Sequence, residues 1–231
     1  MILAILIIAL ILAFIFLVLP VMKGSKIVGF AFLLVVIACS VGIIANDTYH
    51  WGMKEQTTTK TYQLTSSAGS SSSTNMLLYQ GLGNGSEKVY VYKTTASSKR
   101  QVMKTTDSSA KVTSTTGQAV LKLKTTRYVY KNGFYKALFN LVFDNNGQLK
   151  HRTYQFEVPD SWYVLSVKQA QKLAAAAQKD PTGMQAAIAS RVQSIVTAEM
   201  TKNPTMSTEQ QQALTTKATK QATMEYINSL K

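Results

Sequence analysis

The first 45 residues form two apolar runs separated by one short polar turn. Residues 2–19 contain only aliphatic residues and phenylalanine, and residues 27–45 form a second run of similar length. At ~1.5 Å per residue, each run covers most of the ~30 Å hydrocarbon layer of a bilayer. Pro20, Lys23 and Lys26 lie between them and favour a tight turn at the headgroups. The pattern predicts a transmembrane helical hairpin over residues 1–45.

Small and aromatic residues refine this hairpin. Gly29, Ala38 and Gly42 lie in the second run, where small side chains let membrane helices approach closely. We expect them to pack within the hairpin; the alternative is an interface with a separate membrane protein. Tyr49 and Trp51 follow the second run and are expected to anchor it at the membrane–water interface.

Two processing events compete with the hairpin. A cleaved secretory signal begins with positive residues and ends at a small-residue site, and the first run has neither feature. Residues 36–39 loosely match the box at which bacterial lipoproteins are cut and acylated before a cysteine. A whole helix precedes this box, so we expect Cys39 to be a buried small hydrophobe. Lipidation of Cys39 stays open.

The polar remainder begins with a juxtamembrane segment and a Ser/Thr-rich linker at residues 46–75, with a possible strand at 57–62. Alternating apolar and polar residues then predict an antiparallel β domain over residues 76–165. Asn-Gly pairs favour tight hairpin turns, and the pairs begin at Asn84, Asn132 and Asn146. They predict a three-stranded meander, whose strands are residues 125–131, 134–143 and 148–158.

Helical patterns replace the alternation in residues 166–231, which we assign to a helical tail. Residues 167–177 are rich in alanine, glutamine and lysine, and Asp180-Pro181 then predicts a new helix start. Ser207 with Gln210 predicts a capping box for the last helix. The fold class is therefore an α+β membrane protein with an N-terminal two-helix transmembrane hairpin, an antiparallel β-rich extracytoplasmic domain and a helical C-terminal tail.

Charge predicts the orientation. The formal net charge is +14, and all 11 acidic residues lie beyond residue 45. Cations beside short loops stay in the cytoplasm, so Lys23 and Lys26 place both termini and the main domain outside a cell membrane that is crossed twice. The domain has no cysteine and many serine and threonine residues, which suits an exterior surface.

Few residues suit catalysis. His50 and His151 are the two histidines and Cys39 is the one cysteine, so neither a Cys-His nucleophile pair nor a Cys/His zinc set can form outside the membrane. We expect no cofactor, no metal and no enzymatic activity. The alternative is an envelope hydrolase with an unrecognised Ser/Lys or carboxylate site.

Basic residues in the predicted β domain suggest a ligand class. An exterior basic surface attracts anionic cell-wall polymers or lipid headgroups, whereas nucleic acid would require a cytoplasmic domain. The alternative is a solvated surface without a specific ligand. The candidate polyanion-binding residues are Lys122, Lys124, Arg127, Lys150 and Arg152.

Three segments carry a resemblance to a known family: the two-span start with its turn at 20–26, the pair of segments 77–80 and 87–93, and the meander ending at Glu157-Val158-Pro159. Their layout resembles an uncharacterised two-span membrane-protein family of lactic acid bacteria, a domain of unknown function. The resemblance implies a Gram-positive envelope and no established activity.

From this layout we expect a non-enzymatic envelope protein that acts as an accessory subunit or scaffold for another membrane protein. The expected partners are the lipid bilayer, another membrane protein or a second copy of the chain, and anionic wall polymer. The remaining alternative is a passive structural anchor.

Overall fold

The computed structural model describes residues 1–19, 23–68, 74–83, 87–143 and 145–230. Its six helices are α1 (Ile2–Val18), α2 (Ser25–Tyr49), α3 (Gly133–Phe139), α4 (Val167–Lys179), α5 (Pro181–Lys202) and α6 (Thr208–Ser229). Its eight strands are β1 (Met53–Thr65), β2 (Met76–Leu82), β3 (Glu87–Thr94), β4 (Ser97–Val102), β5 (Ser108–Thr115), β6 (Val120–Tyr130), β7 (Leu149–Pro159) and β8 (Tyr163–Ser166). The fold is α+β.

The strands form one mixed sheet in the order β5-β7-β6-β1-β3-β2-β8, with β4 paired to β3. β2 pairs antiparallel with β3, where Leu78 lies opposite Val91, and parallel with β8, where Leu78 lies opposite Leu165. The expected all-antiparallel sheet is therefore wrong at β8. Turn residues indicate pairing between neighbouring strands, whereas β2 and β8 are far apart in sequence and no hairpin turn constrains their direction.

The chain divides into two compact units: unit 1 is residues 1–58 and 125–152, and unit 2 is residues 59–124 and 153–231. β1, β6 and β7 supply residues to both. The strand β1 lies in the segment that the sequence assigned to a juxtamembrane region and linker, and it includes the possible strand at 57–62. It forms there because its Thr, Tyr and Leu residues favour a pleated conformation.

Unit 1 contains the two apolar helices. α2 is long and apolar enough to cross a membrane by length and composition, and α1, with 17 residues, is a shorter apolar helix. The helices contact each other, with the rings of Phe16 and Phe32 stacked at 6.0 Å. The predicted turn at 20–26 falls partly outside the described residues. Crossing of the membrane by both helices stays a prediction.

The middle strand of the predicted meander is wrong, because residues 133–139 form the helix α3. The backbone N–H of Tyr135 donates to the side chain of Asn132 at 3.2 Å, so Asn132 caps a helix and does not begin a hairpin. Tyr135, Leu138 and Phe139 pack on the core of unit 1, and their helical spacing outweighs the Asn-Gly turn preference. Asn146-Gly147 does form a turn before β7, and Asn84-Gly85 lies outside the described residues.

Unit 2 buries both faces of β2. Leu77 belongs to an aromatic-rich core with Tyr90, Tyr92, Tyr154 and Phe156. Its neighbours Met76 and Leu78 belong instead to a second core that α4 and α6 cover. Because successive strand residues point to opposite faces, this division shows that helices cover one face of β2 and aromatic residues the other.

The predicted helical tail is present as α4, α5 and α6. Asp180 caps α5 by accepting a hydrogen bond from the Gly183 N–H at 2.8 Å. Both bonds of the predicted capping box at Ser207 and Gln210 are present at the start of α6. Apolar residues recur at helical spacing on α5 and are half-buried: Met184, Ile188, Val192, Ile195 and Val196. α5 contacts both α4 and α6.

Candidate functional site

The end of α2 is a tight reversal of the chain held by a buried amide. Asn46 is 1% exposed, and its Nδ2 donates to the carbonyl oxygen of Trp51 at 2.8 Å. The backbone N–H of Trp51 donates back to the carbonyl of Ala45 at 3.1 Å. His50 and Gly52 both adopt positive φ angles, 54° and 82°. These bonds fix the direction in which the chain leaves the apolar helix and enters β1.

Aromatic side chains gather around this reversal; we call His50, Trp51, Tyr128, Tyr135 and Phe139 the aromatic cluster. Trp51 packs edge-on against Tyr135 and Phe139, with ring centroids 5.8 and 5.9 Å apart. The His50 ring stacks on Tyr128 at 3.7 Å, and its Nε2 lies 3.3 Å from Gln148 Oε1. Edge-on and stacked arrangements are the favourable ones for aromatic pairs. The cluster therefore joins the end of α2 to α3 and β6.

The start of α1 contacts the same region. Ile2 is buried in one core with Met53, Tyr130 and Phe139, and Cys39 and Ile43 of α2 pack partly buried against it. The nitrogen of Met1 donates to the carbonyl oxygens of Ala137 at 2.9 Å and Leu138 at 3.2 Å. Both apolar helices are thus built into the folded core of unit 1.

One ion pair borders the cluster. Lys150 on β7 donates to the Glu55 carboxylate on β1, and its Nζ lies 5.6 Å from the centroid of the Tyr128 ring. The hydrogen bond to Glu55 raises the pKa of Lys150. Both side chains are solvent-exposed, so the pair is expected to fix orientation more than to contribute stability.

The five candidate polyanion-binding residues differ in their surroundings. Lys122 and Lys124 lie in unit 2, where Lys122 pairs with Glu157 at 2.7 Å and Lys124 is exposed. Arg127, Lys150 and Arg152 lie in unit 1; the guanidinium of Arg127 donates to the Gly147 carbonyl at 2.6 Å. Two of the five cations therefore have a carboxylate partner, which lowers the positive charge that they offer to a polyanion.

The candidate packing residues of α2 differ in what they contact. A Cβ at Gly29 would lie 2.6 Å from Leu17 Cγ, and one at Gly42 would lie 3.3 Å from Ile2 Cδ1, so both glycines face α1. Ala38 is exposed and lines an apolar cleft of about 630 Å³ that Ile5 and Val35 also line. The predicted anchors Tyr49 and Trp51 are 77% and 51% exposed.

The remaining perturbed groups lie in unit 2. Burial raises the pKa of Tyr90 and of Tyr92, and neighbouring phenols add to the effect. The hydrogen bond from Arg191 lowers the pKa of Glu225. Within the described residues, no group of three or more His, Cys, Asp or Glu side chains is placed to hold a metal ion.

The sequence predicts Tyr49 and Trp51 as interfacial anchors, whereas the partners of Trp51 were missed. Tyr135, Leu138, Phe139 and Val142 follow Asn132 at helical spacing, which was the available indication of a capped amphipathic helix. The close approach of Gly52 to Tyr135 has no counterpart in the local sequence, because it depends on contacts between segments that lie more than 80 residues apart.

A known protein family matches the greater part of this chain. Residues 22–173 match the model of a family described as a domain of unknown function, DUF4811. The chain belongs to the DUF4811 family. The matched region contains α2, α3 and all eight strands, whereas α1, α5 and α6 lie outside it. No curated protein and no solved structure matches the chain. The expected resemblance to an uncharacterised domain family is confirmed, while its lactic acid bacterial source stays a prediction.

Proposed function

We propose that this DUF4811 protein is a non-enzymatic, membrane-anchored protein of the bacterial cell envelope whose main domain lies outside the cytoplasm. The observation that carries the proposal is the exposed apolar surface of α2. Only 11% of the most apolar 18-residue stretch of this helix is buried. Ile27 is 76% exposed and Leu34 is 67% exposed. A soluble protein rarely exposes a contiguous apolar surface of this kind, whereas a bilayer covers it.

The core of unit 1 supports a retained anchor over a removed signal sequence. Cys39 and Ile43 of α2 pack against Phe139, and Asn46 holds the Trp51 carbonyl. Removal of the apolar helices would expose this core and leave the Trp51 carbonyl without the Asn46 amide. Retention therefore preserves the folded state of unit 1.

The apolar cleft beside α2 supports the role of accessory subunit or scaffold. Ala38 and Gly42 are four residues apart and both line the cleft. Small residues at this spacing allow the backbone of a second membrane helix to approach closely. We therefore propose that a helix of another membrane protein packs against Ala38.

Binding of anionic wall polymers is the less supported alternative, because Glu157 and Glu55 pair with two of its five candidate cations. Lys124 is an exposed candidate on β6 that has no ion pair with a carboxylate among the described residues. Polymer binding by the full chain should therefore weaken more with Lys124→Glu than with Lys122→Glu, and added salt should weaken it further.

Two measurements test the main proposal. Alkaline carbonate washing of membranes should leave the chain in the membrane fraction with its uncleaved mass; a shortened chain in the supernatant would contradict anchoring. Purification in mild detergent should then recover a partner membrane protein from the wild type and from Ile37→Leu, but not from Ala38→Leu. Equal recovery from both variants would contradict packing at the cleft.

A further inference from the structure

The segment of residues 133–143, which we call the interfacial segment, has one packed and one exposed apolar side. Tyr135, Leu138, Phe139 and Val142 form the packed side. Phe134 is 68% exposed, Leu141 is 72% exposed and Phe143 is 40% exposed. Phe134 lies on α3, and Leu141 and Phe143 lie in the residues that follow it, so both parts of the segment expose apolar side chains. The segment therefore exposes three large apolar side chains, which are not needed in a turn that faces water.

Contacts within unit 1 fix this segment beside the end of the proposed membrane helix. Tyr135 and Phe139 hold Trp51, two residues after α2, between their rings. Ile2, in the first turn of α1, shares the buried core with Phe139. The interfacial segment is therefore held next to the end of α2 and the start of α1.

The charges around the segment favour a lipid surface over a protein partner. Lys131 precedes the segment and Lys136 lies within it, and both are exposed. Apolar side chains accompanied by lysines occur in segments that lie in the membrane interface, where the cations meet anionic headgroups. The adjacent aromatic residues Tyr49 and Trp51 are also types enriched at that depth.

We infer that the interfacial segment lies in the headgroup layer of the bilayer and inserts Phe134, Leu141 and Phe143 into its acyl boundary. The inference rests on the proposed membrane anchoring of α2. It adds a second membrane contact, which holds unit 1 against the lipid surface at a defined angle.

Fluorescence quenching by lipids tests the inference in the full-length chain. Cys39→Ser removes the native thiol, and single cysteines at Leu34, Asn140 or Leu141 then carry a thiol-reactive fluorophore. Each labelled protein is reconstituted into vesicles of phosphatidylcholine with a minority of phosphatidylglycerol. The vesicles contain lipids with a nitroxide quencher either near the headgroup or near the end of the acyl chain. Asn140 is exposed and adjacent to Leu141, so it is the matched control.

The expected result shows how deep each label lies in the bilayer and which side of the segment faces the lipid. Interfacial helices bury their apolar face about 5–10 Å into the headgroup boundary, so the shallow quencher should reduce the Leu141 signal about twofold more than the deep quencher does. The Asn140 label should be quenched less than the Leu141 label. The Leu34 label should respond most to the deep quencher, because α2 spans the bilayer in the proposal.

Each other outcome contradicts a defined claim. Quenching at Leu34 with no greater quenching at Leu141 than at Asn140 overturns the inference and leaves the proposed anchoring intact. Absence of quenching at Leu34 overturns both. A label at Phe134 provides an independent repeat of the Leu141 measurement and should show the same preference for the shallow quencher.

Discussion

Gly52 lies against the ring of Tyr135 so closely that a Cβ at position 52 would stand 2.8 Å from Tyr135 Cγ. The φ angle of Gly52 is +82°, which L side chains rarely adopt. This contact lets the chain leave α2, reverse and pass directly beside α3. The packing of the chain after α2 against α3 therefore depends on the absence of a side chain at position 52.

Gly52→Ala is predicted to destabilise unit 1 strongly. The positive φ angle costs about 1–2 kcal/mol with a Cβ present, and overpacking against the Tyr135 ring adds about 1–3 kcal/mol. The measurement is thermal unfolding of the full-length chain in detergent. Gly24→Ala is the matched control, because Gly24 has a φ angle of +85° but no atom within 4 Å of its would-be Cβ. Equal losses for the two variants would contradict the contact with Tyr135.

Gly29→Leu is predicted to weaken the contact between α1 and α2. The new side chain would meet the branching carbon of Leu17 and its backbone nitrogen, which lies 3.1 Å from the Cβ position. We expect a loss of about 1–3 kcal/mol in stability, measured by titration with a denaturing detergent. Gly42→Ala should be nearly neutral, because its Cβ would meet only the terminal Cδ1 of Ile2 at 3.3 Å. A larger effect at position 42 than at position 29 would contradict this packing.

Alkaline pH should destabilise unit 2 through its buried phenols. Burial raises the pKa of Tyr90 and Tyr92 above the ordinary value of 10.0. The folded state therefore keeps protons on these phenols that the unfolded state loses above pH 10.0. As a result, the free energy of unfolding falls as pH rises from 10.0 towards the folded pKa values. Tyr90→Phe with Tyr92→Phe should make the fall in thermal midpoint less steep. Tyr49→Phe, at a 77% exposed position, should leave the slope of the thermal midpoint against pH unchanged. If the double variant also leaves this slope unchanged, the buried phenols do not cause the loss of stability.

Removal of the Lys122 amine should destabilise unit 2 more than removal of the Lys124 amine. Glu157 is 17% exposed and accepts from Lys122 at 2.7 Å and from Gln155 at 2.8 Å. Lys122→Met removes one of these partners, with an expected loss of about 1 kcal/mol in the free energy of unfolding. Lys124→Met at an exposed position should change it by less than about 0.5 kcal/mol. Denaturant titration compares the two, and equal values would show that the ion pair contributes nothing.

The sequence predicted those features that depend on neighbours along the chain. The apolar runs, the Asp180 cap and the Ser207–Gln210 capping box each lie within one segment, and the structure contains the corresponding helices. At Asn132-Gly133 two local preferences competed, and burial of Phe139 decided for a helix. The parallel pairing of β2 with β8 joins distant segments, which turn chemistry does not specify.

In the candidate site, too, the sequence did not predict contacts between distant segments. Trp51 was predicted as an aromatic anchor because its position follows an apolar run. Its partners Tyr135 and Phe139 come from a part of the chain more than 80 residues away. The charge pattern predicts Lys122 as a polyanion-binding residue, but the sequence does not show that Glu157 pairs with it.

We propose that α2 crosses the cell membrane and displays the folded domain outside. The most direct test is labelling of intact cells with a membrane-impermeant thiol reagent, using Cys39→Ser chains with one cysteine at Lys23 or at Thr216. Both positions are exposed, the first before α2 and the second on α6. Labelling is expected at Thr216 in intact cells and at Lys23 only after permeabilisation. Labelling at Lys23 with protection at Thr216 would contradict the proposal.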